Sequence, residues 1–335
     1  MKKHIYKGFV LIKRMLLFPI KAINFYNIGN EISNSIVINM SPQFLLAFQY
    51  DNKSFIRKDI IIRFLAMEDK FISKNNEGIQ LYLKLMKMRY KEKPFKNKIS
   101  DSLDGVYNNM KENGYDKSYP IKVDSNFRLL DGSHRMAAAL INNVEEVSVD
   151  IHSFGHKIDF SSLLLKQYNF SQKEISLINK KESNLFFEQG IYFPVIIWPP
   201  AMTFVDDIEK DLDLTIKRTY DLEFDDSDFY RFVREIYKID DIAEWKVEKK
   251  IEAMHNYHLK VKVFFIEMGN PNFRKKSINA NLISKKGEKL KRKIRLKYKT
   301  KINNYIHDII VHTGDNFGQN KKIVELTKKY EQPIK

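Results

Sequence analysis

The sequence predicts a mixed α/β or α+β fold, in which a small N-terminal module is followed by a separate α/β domain. Three observations carry that expectation. Short apolar runs with strand character alternate with amphipathic helical stretches. A chain of 335 residues, 43% of them hydrophobic, is long enough for two cores. A polar motif, DGSHR at 131–135, interrupts an apolar strand-then-helix pattern near the middle of the first half.

Taken in order, the chain opens on MKKHIYKGFVLIKRMLLFPIKAI, where Phe9, Ile12, Leu16 and Ile20 recur at helical spacing among lysines. Lys13, Arg14 and Lys21 break the apolar stretch, so a signal peptide or a transmembrane helix is not expected. Two readings remain: a helix packed on the protein's own core, or one lying on an anionic membrane surface. The runs NSIVINMSPQFLLAFQY and DIIIRFLAMEDKF read as strand or helix without distinction. From Gly78, IQLYLKLMKMRY is spaced for a helix, and a charged break with Pro94 ends it. These breaks predict a basic region over 1–94, a phosphate-binding module over 95–165 and a mixed α/β domain over 190–335.

Within the module, SLDGVYNNMKENGYDKSYPIKVDSNFRLLDGSHRMAAALINNVEEVSVDIH reads as helix, turn, strand, turn, strand, helix, strand. Asn113 and Gly114 stop the first helix, PIKV starts a strand, Asp124 to Asn126 turn the chain, and MAAALI supplies strong helix formers. Further on, Ser171 followed by Glu174 is the spacing of a capping box, which starts a helix between the two domains. The apolar run in GIYFPVIIWPPAMTF ends at Pro199 and Pro200 as a strand and loop, and KVKVFFIEM is the clearest later strand. KGEKLKRKIRLKYKTKINNYIHDIIVH is compatible with one helix or a broken pair ending at Gly314.

The composition bounds the chemistry. No cysteine is present, which excludes structural disulfides, thiolate nucleophiles and Cys-ligated metals. With 24 Phe and 17 Tyr against 9 Pro, most of the chain is expected to fold. A net charge of +16, from 58 Lys plus Arg against 42 Asp plus Glu, attracts nucleic acid, anionic lipid or phosphorylated substrates without choosing among them. The basic series Lys289, Lys291, Arg292, Lys293, Arg295, Lys297, Lys299 and Lys301 is spread over several faces of a helix, so it defines no single groove.

In DGSHR, Gly132 permits close backbone approach, and the amides of the helix that follows can hold an anion. Phosphate is the natural ligand. Asp131 either caps the helix or serves as a metal or substrate carboxylate. Ser133 lies in the same turn. His134 either contacts phosphate, shuttles a proton or donates to the backbone. Arg135 is a fork for an anion, a member of a structural ion pair or an ordinary surface residue.

Through NNMKENGYDKSYPIKV, FRLLDGSHRMAAAL and the closing VEEVSVDIH, residues 99 to 152 resemble the ParB and sulfiredoxin superfamily. Its members include nucleotide-dependent partition proteins, sulfiredoxins and free amino-acid kinases, and they set the helix after this motif against nucleotide phosphates. The resemblance implies phosphate contact by Asp131, Gly132, His134 and Arg135, with Ser133 at a variable position. In the kinase-like members the aspartate also helps organise metal and phosphoryl transfer. The cysteine of sulfiredoxin is missing here, and the DNA-binding helices of a partition protein are not evident.

Two polar groups stand out later. Asp207 and Asp211, four residues apart on one face of an expected helix, either hold magnesium or position a hydroxyl, or the pattern is an acidic first turn in which Asp206, Asp207 and Glu209 complement the helix dipole. Asp308 and His312 are also spaced i,i+4, so that on a helix the carboxylate orients the imidazole as a general base, or the pair simply ends that helix. The spacing is not that of a zinc motif.

The expectation is a cytoplasmic enzyme, facing the inner membrane if the N-terminal segment contacts lipid, that uses ATP or CTP with Mg2+ to phosphorylate a small hydroxyl compound such as a sugar or amino-acid-like metabolite. Gly132, Ser133, His134 and Arg135 bind the nucleotide, Asp131, His134, Asp308 and His312 are the catalytic candidates, and Asp131, Asp207 and Asp211 are the metal candidates. A nucleotide-gated DNA-binding protein and a carbohydrate-active protein of bacterial surface-polysaccharide assembly are the alternatives.

Overall fold

The computed structural model describes residues 35–51, 54–89, 98–152, 158–269, 271–275, 282–303, 305–306 and 308–331. The amphipathic segment over 1–24 lies outside these. The fold is mixed α+β. The chain divides into two compact units, Met1–Asn184 and Leu185–Lys335. Among the described residues no helix is long and apolar enough to cross a membrane.

The first unit runs β1 (Ser35–Met40), α1 (Pro42–Ala47), β2 (Tyr50–Asp51), β3 (Ser54–Phe55), α2 (Lys58–Glu68), α3 (Glu77–Arg89), α4 (Lys98–Asn113), β4 (Ile121–Asp124), β5 (Leu129–Asp131), α5 (Ser133–Ile141), β6 (Val147–His152), α6 (Ser162–Gln167) and α7 (Gln172–Glu188), the last crossing the division between units. The first ambiguous run therefore splits. Ser35–Met40 is a strand, and Pro42 starts a short helix whose N-cap, Ser41, accepts from the Phe44 amide. The second run is α2, buried along nearly its whole length. A helix surrounded on all sides carries no amphipathic period, which is why its pattern did not separate it from a strand.

The sheet has the order β1-β6-β4-β5. β6 is antiparallel to β1 and parallel to β4, with Ile121 opposite Val149 and Val123 opposite Ile151. It therefore takes in a strand from the region before residue 95. A turn closes β4 onto β5, where Asp124 Oδ1 accepts from the amides of Asn126 and Arg128 at 2.8 Å each. Gln49 pins the entry to β5, donating to the Phe127 carbonyl and accepting from the Leu129 amide. α2 packs on α5. Ala137, Ala138 and Ala139 are fully buried there, and their small side chains let the helices approach closely. The predicted capping box forms: Ser171 N donates to Glu174 Oε2 at 2.6 Å and Glu174 N to Ser171 Oγ at 3.2 Å.

The second unit continues with β7 (Phe193–Ile197), α8 (Val205–Leu212), β8 (Thr215–Glu223), α9 (Asp226–Ile239), α10 (Glu244–His255), β9 (Lys260–Glu267), β10 (Phe273–Lys275), β11 (Leu282–Ser284), α11 (Lys285–Tyr298), β12 (Val311–Thr313) and α12 (Phe317–Tyr330). Its main sheet, β12-β7-β9-β8, is antiparallel throughout. Its core is aromatic, with Trp198 against Phe232 and Tyr237, and Phe187 against Phe265. Gly190 has φ +67, and a β-carbon there would sit 2.5 Å from the Lys321 amide nitrogen, so α12 can pack against this turn only over glycine.

The long basic segment departs from expectation. α11 stops at Tyr298, a single 3-10 turn follows, and Val311–Thr313 pairs with β7 as an edge strand instead of continuing a helix to Gly314. Ile309, Ile310 and Val311 are buried, and this β-branched run suits a strand.

Candidate functional site

In the first unit, the DGSHR motif is split between elements. Asp131 ends β5, Gly132 is the N-cap of α5 with φ 101, and Ser133, His134 and Arg135 form the first turn. No side chain caps this helix. Its first amides have no partner within the helix, and they carry the positive end of its dipole. A β-carbon at Gly132 would meet Ile121 Cγ1 at 3.2 Å and Arg135 Nη2 at 3.3 Å, so glycine here serves both the left-handed turn and the close approach of β4.

Beneath this turn lies a group the sequence reading missed. Arg57, 2% exposed, donates through Nε and Nη2 to both carboxylate oxygens of Asp59, through Nη1 to the Leu129 carbonyl at 2.5 Å, and through Nη2 to Ser133 Oγ at 2.8 Å. Arg63 Nη1 reaches the same carboxylate at 3.0 Å. Burial pushes the Asp59 carboxyl up, but the two guanidiniums and Ser133 outweigh it and hold it well below the usual range. The signal was present in FIRKDIIIRF, where charged residues sit inside an apolar run that has no exposed face to place them on.

His134 Nε2 lies 2.8 Å from the Tyr82 hydroxyl, with the rings edge to face. Arg135 Nη1 donates to the carbonyls of Tyr119 and Pro120 at 2.5 and 2.8 Å, and Nη2 to Asp131 Oδ2 at 3.1 Å. Of the three readings for Arg135, this arrangement has the ion pair: the side chain braces the loop before β4 against the end of β5. Asp131 is its partner and is largely exposed, at 69% of its side chain.

In the second unit, the helical relation expected of Asp308 and His312 is corrected. His312 stands on β12 opposite Ile196, and Asp308 stands in a turn with φ 60. They are joined indirectly, because Arg295 donates to Asp308 Oδ2 at 3.2 Å and to the Val311 carbonyl at 2.9 Å. His312 is 3% exposed, with Nδ1 3.7 Å from Asp240 Oδ2 at the end of α9 and its ring edge-on to Tyr237. Burial, followed by the charges of Lys291, Arg295 and Lys250, keeps the imidazole neutral by lowering its pKa well below the ordinary histidine value. Burial and then Asp315 raise Asp240 to about 6. Lys250, on α10 and 8% exposed, is lowered to about 8, chiefly by burial. Tyr237, Asp240 and Lys250 come from elements 60 to 75 residues before His312 on the chain, and no spacing rule links them.

Asp207 and Asp211 do share α8. Asp207 is exposed, whereas Asp211 accepts from Lys297 Nζ at 2.7 and 2.8 Å and from the Tyr298 hydroxyl at 2.8 Å. Lys297 first, then Tyr298, lowers its carboxyl pKa. Asp211 thus ties α8 to α11. Asp131 belongs to the other unit, and among the described residues no group of three or more His, Cys, Asp or Glu stands together as a cation site. Part of the basic series is likewise engaged: Lys291 with Asp315, Lys293 with the Asp211 carbonyl, Arg295 and Lys297 as above.

These features define a two-unit α+β protein with an uncapped, arginine-backed helix start in one unit and a buried imidazole–carboxylate pair in the other. Compared with protein-family models, with curated proteins and with solved structures, the chain matches none of them.

Proposed function

We propose that the protein is a nucleotide-dependent phosphotransferase, with a ParB/sulfiredoxin-like module in its first unit that holds the phosphates of ATP or CTP at the start of α5. The observation that carries this reading is the helix start at Gly132, uncapped by any side chain and backed by the buried Arg57 through Ser133. An anion there meets first-turn amides and the helix dipole, and His134 borders the same turn. The acceptor is a small hydroxyl-bearing metabolite, and the protein works in the cytoplasm.

Magnesium enters with the nucleotide. One protein carboxylate, Asp131, suits an ion held mainly by phosphate oxygens and water, and the second unit's Asp207 and Asp211 are not needed for it. Arg135 either keeps its present brace or turns from Asp131 to the phosphates on binding.

Calorimetric titration of the full chain with ATP and with CTP, each with magnesium, tests the reading. A saturable heat is expected with one of them. His134→Asp places a carboxylate in the first turn, where it favours the helix but repels phosphate, so it should retain the thermal transition while weakening binding by roughly tenfold or more. A folded His134→Asp protein that binds either nucleotide as well as the parent, or a parent that binds neither, counts decisively against the phosphate site.

A further inference from the structure

We infer that the exposed ridge of α11 is a docking surface for an anionic lipid bilayer, where Lys285, Lys289, Arg292 and Lys299 meet lipid phosphates and Leu296 enters the headgroup layer. α11 buries Gly287, Leu290, Ile294 and Tyr298. At 3.6 residues per turn, the line opposite that buried side runs through Lys285, Lys289, Arg292 and Leu296, and Lys299 follows in the 3-10 turn. The row has the spacing i, i+4, i+7, i+11, i+14 and spans about 21 Å.

The cations on the flanks of the helix are engaged. On one side Lys293 and Lys297 hold Asp211, and Lys286 holds the Met268 carbonyl. On the other, Arg295 holds Asp308 and the Val311 carbonyl, and Lys291 holds Asp315. Along the ridge, Lys285, Lys289, Arg292 and Lys299 have no side-chain hydrogen bond or ion pair among the described residues, and the last three are exposed. Solvation accounts for such cations, but not for a leucine among them that is 53% exposed. Nor is Leu296 alone. Leu214 stands three residues after Asp211 and Ile306 two before Asp308, the anchors on either flank. Three of the five large exposed apolar side chains described in this unit therefore gather about the last turns of one basic helix, which is more than scattered surface residues.

The mixture of groups and the shape of the ridge select the partner. Nucleic acid phosphates attract the cations but offer nothing to a leucine, and a single convex row supplies no groove for a duplex. An anionic bilayer takes both kinds of group, with Lys and Arg at the phosphates and the apolar side chain just beneath them. Being planar, it also meets a single row along its whole length. This surface belongs to the second unit alone and does not depend on nucleotide binding in the first.

Flotation of the full chain with phosphatidylcholine vesicles, with and without phosphatidylglycerol, tests the assignment. Binding is expected only where phosphatidylglycerol is present, and it should weaken as salt is raised. The double variant Lys289→Glu, Arg292→Glu reverses two charges that have no partner in the fold, so it should keep its thermal midpoint while binding roughly tenfold more weakly or worse. Because the chain contains no cysteine, Leu296→Cys accepts a single NBD label. Its emission should rise and shift to the blue on the anionic vesicles. A label at Thr219→Cys, exposed on β8 at the opposite edge of the sheet from β12, should not respond. No binding by the parent protein, undiminished binding by the folded double variant, or an unresponsive label at position 296 on vesicle-bound protein would overturn the assignment. Undiminished binding would move the contact to the segment over 1–24. A label at position 296 that responds to duplex DNA and not to vesicles would make the ridge a nucleic-acid surface instead.

Discussion

Two buried carboxylates, each close to cationic groups, respond to their surroundings in opposite directions. Asp59 serves two guanidiniums and is held low, so the folded state favours its ionised form. Its contribution is fully present above the unfolded carboxylate value of about 3.9 and is lost as pH falls below it. Asp59→Asn leaves two buried guanidiniums without their carboxylate and should cost about 3–5 kcal/mol at neutral pH, measured by urea unfolding. Asp240 is raised to about 6 by burial and by Asp315, against the lowering influence of Lys291, Lys250 and Arg295. Here the folded state holds the proton more tightly, so stability declines from about pH 4 as the unfolded chain ionises, and levels off above the folded value of about 6. Asp240→Asn removes that decline. Its thermal midpoint should gain on the parent between pH 4 and pH 7, and a midpoint difference that does not change with pH would refute the account.

The elements divide by how locally their sequence specifies them. α7 is specified by a capping box that the sequence shows and the structure contains, and Ser171→Ala should cost about 1 kcal/mol, seen as a lower urea midpoint with an unchanged slope. The order of elements from α4 to β6 was equally legible, because Gly114, the Asp124 turn and the alanines of α5 act within a few residues of themselves. α2 was not, because a helix buried on all sides has no period to read. β12 was not, because three residues of edge strand after a long basic helix look like that helix's continuation, and only pairing with β7, more than a hundred residues earlier, makes them a strand. The same distinction applies to the sites. DGSHR is contiguous and was found, whereas Arg57 reaches Ser133 across 76 positions and His312 meets Asp240 across 72.

At the scale of the whole molecule, the net charge of +16 raises the question of nucleic acid. A field of that size attracts any polyanion, but a specific DNA-binding surface also needs unengaged cations aligned along one groove. The densest basic element, α11, does not provide that. Five of its eight cations, Lys286, Lys291, Lys293, Arg295 and Lys297, contact Asp315, Asp308, Asp211 or backbone carbonyls of the same unit, and the other three, Lys285, Lys289 and Arg292, make a line of only about two helical turns. Duplex DNA should therefore bind through diffuse charge alone. Fluorescence anisotropy is expected to show binding at about 50 mM salt that weakens by a hundredfold or more, roughly, at about 200 mM, with no dependence on DNA sequence. Added ATP or CTP with magnesium should leave the salt dependence unchanged, because nucleotide held at α5 does not alter a field summed over the whole chain. If either nucleotide instead sharpened DNA binding or made it persist at the higher salt, the phosphate site would be acting as a gate on DNA, and the phosphotransferase reading would give way to that one.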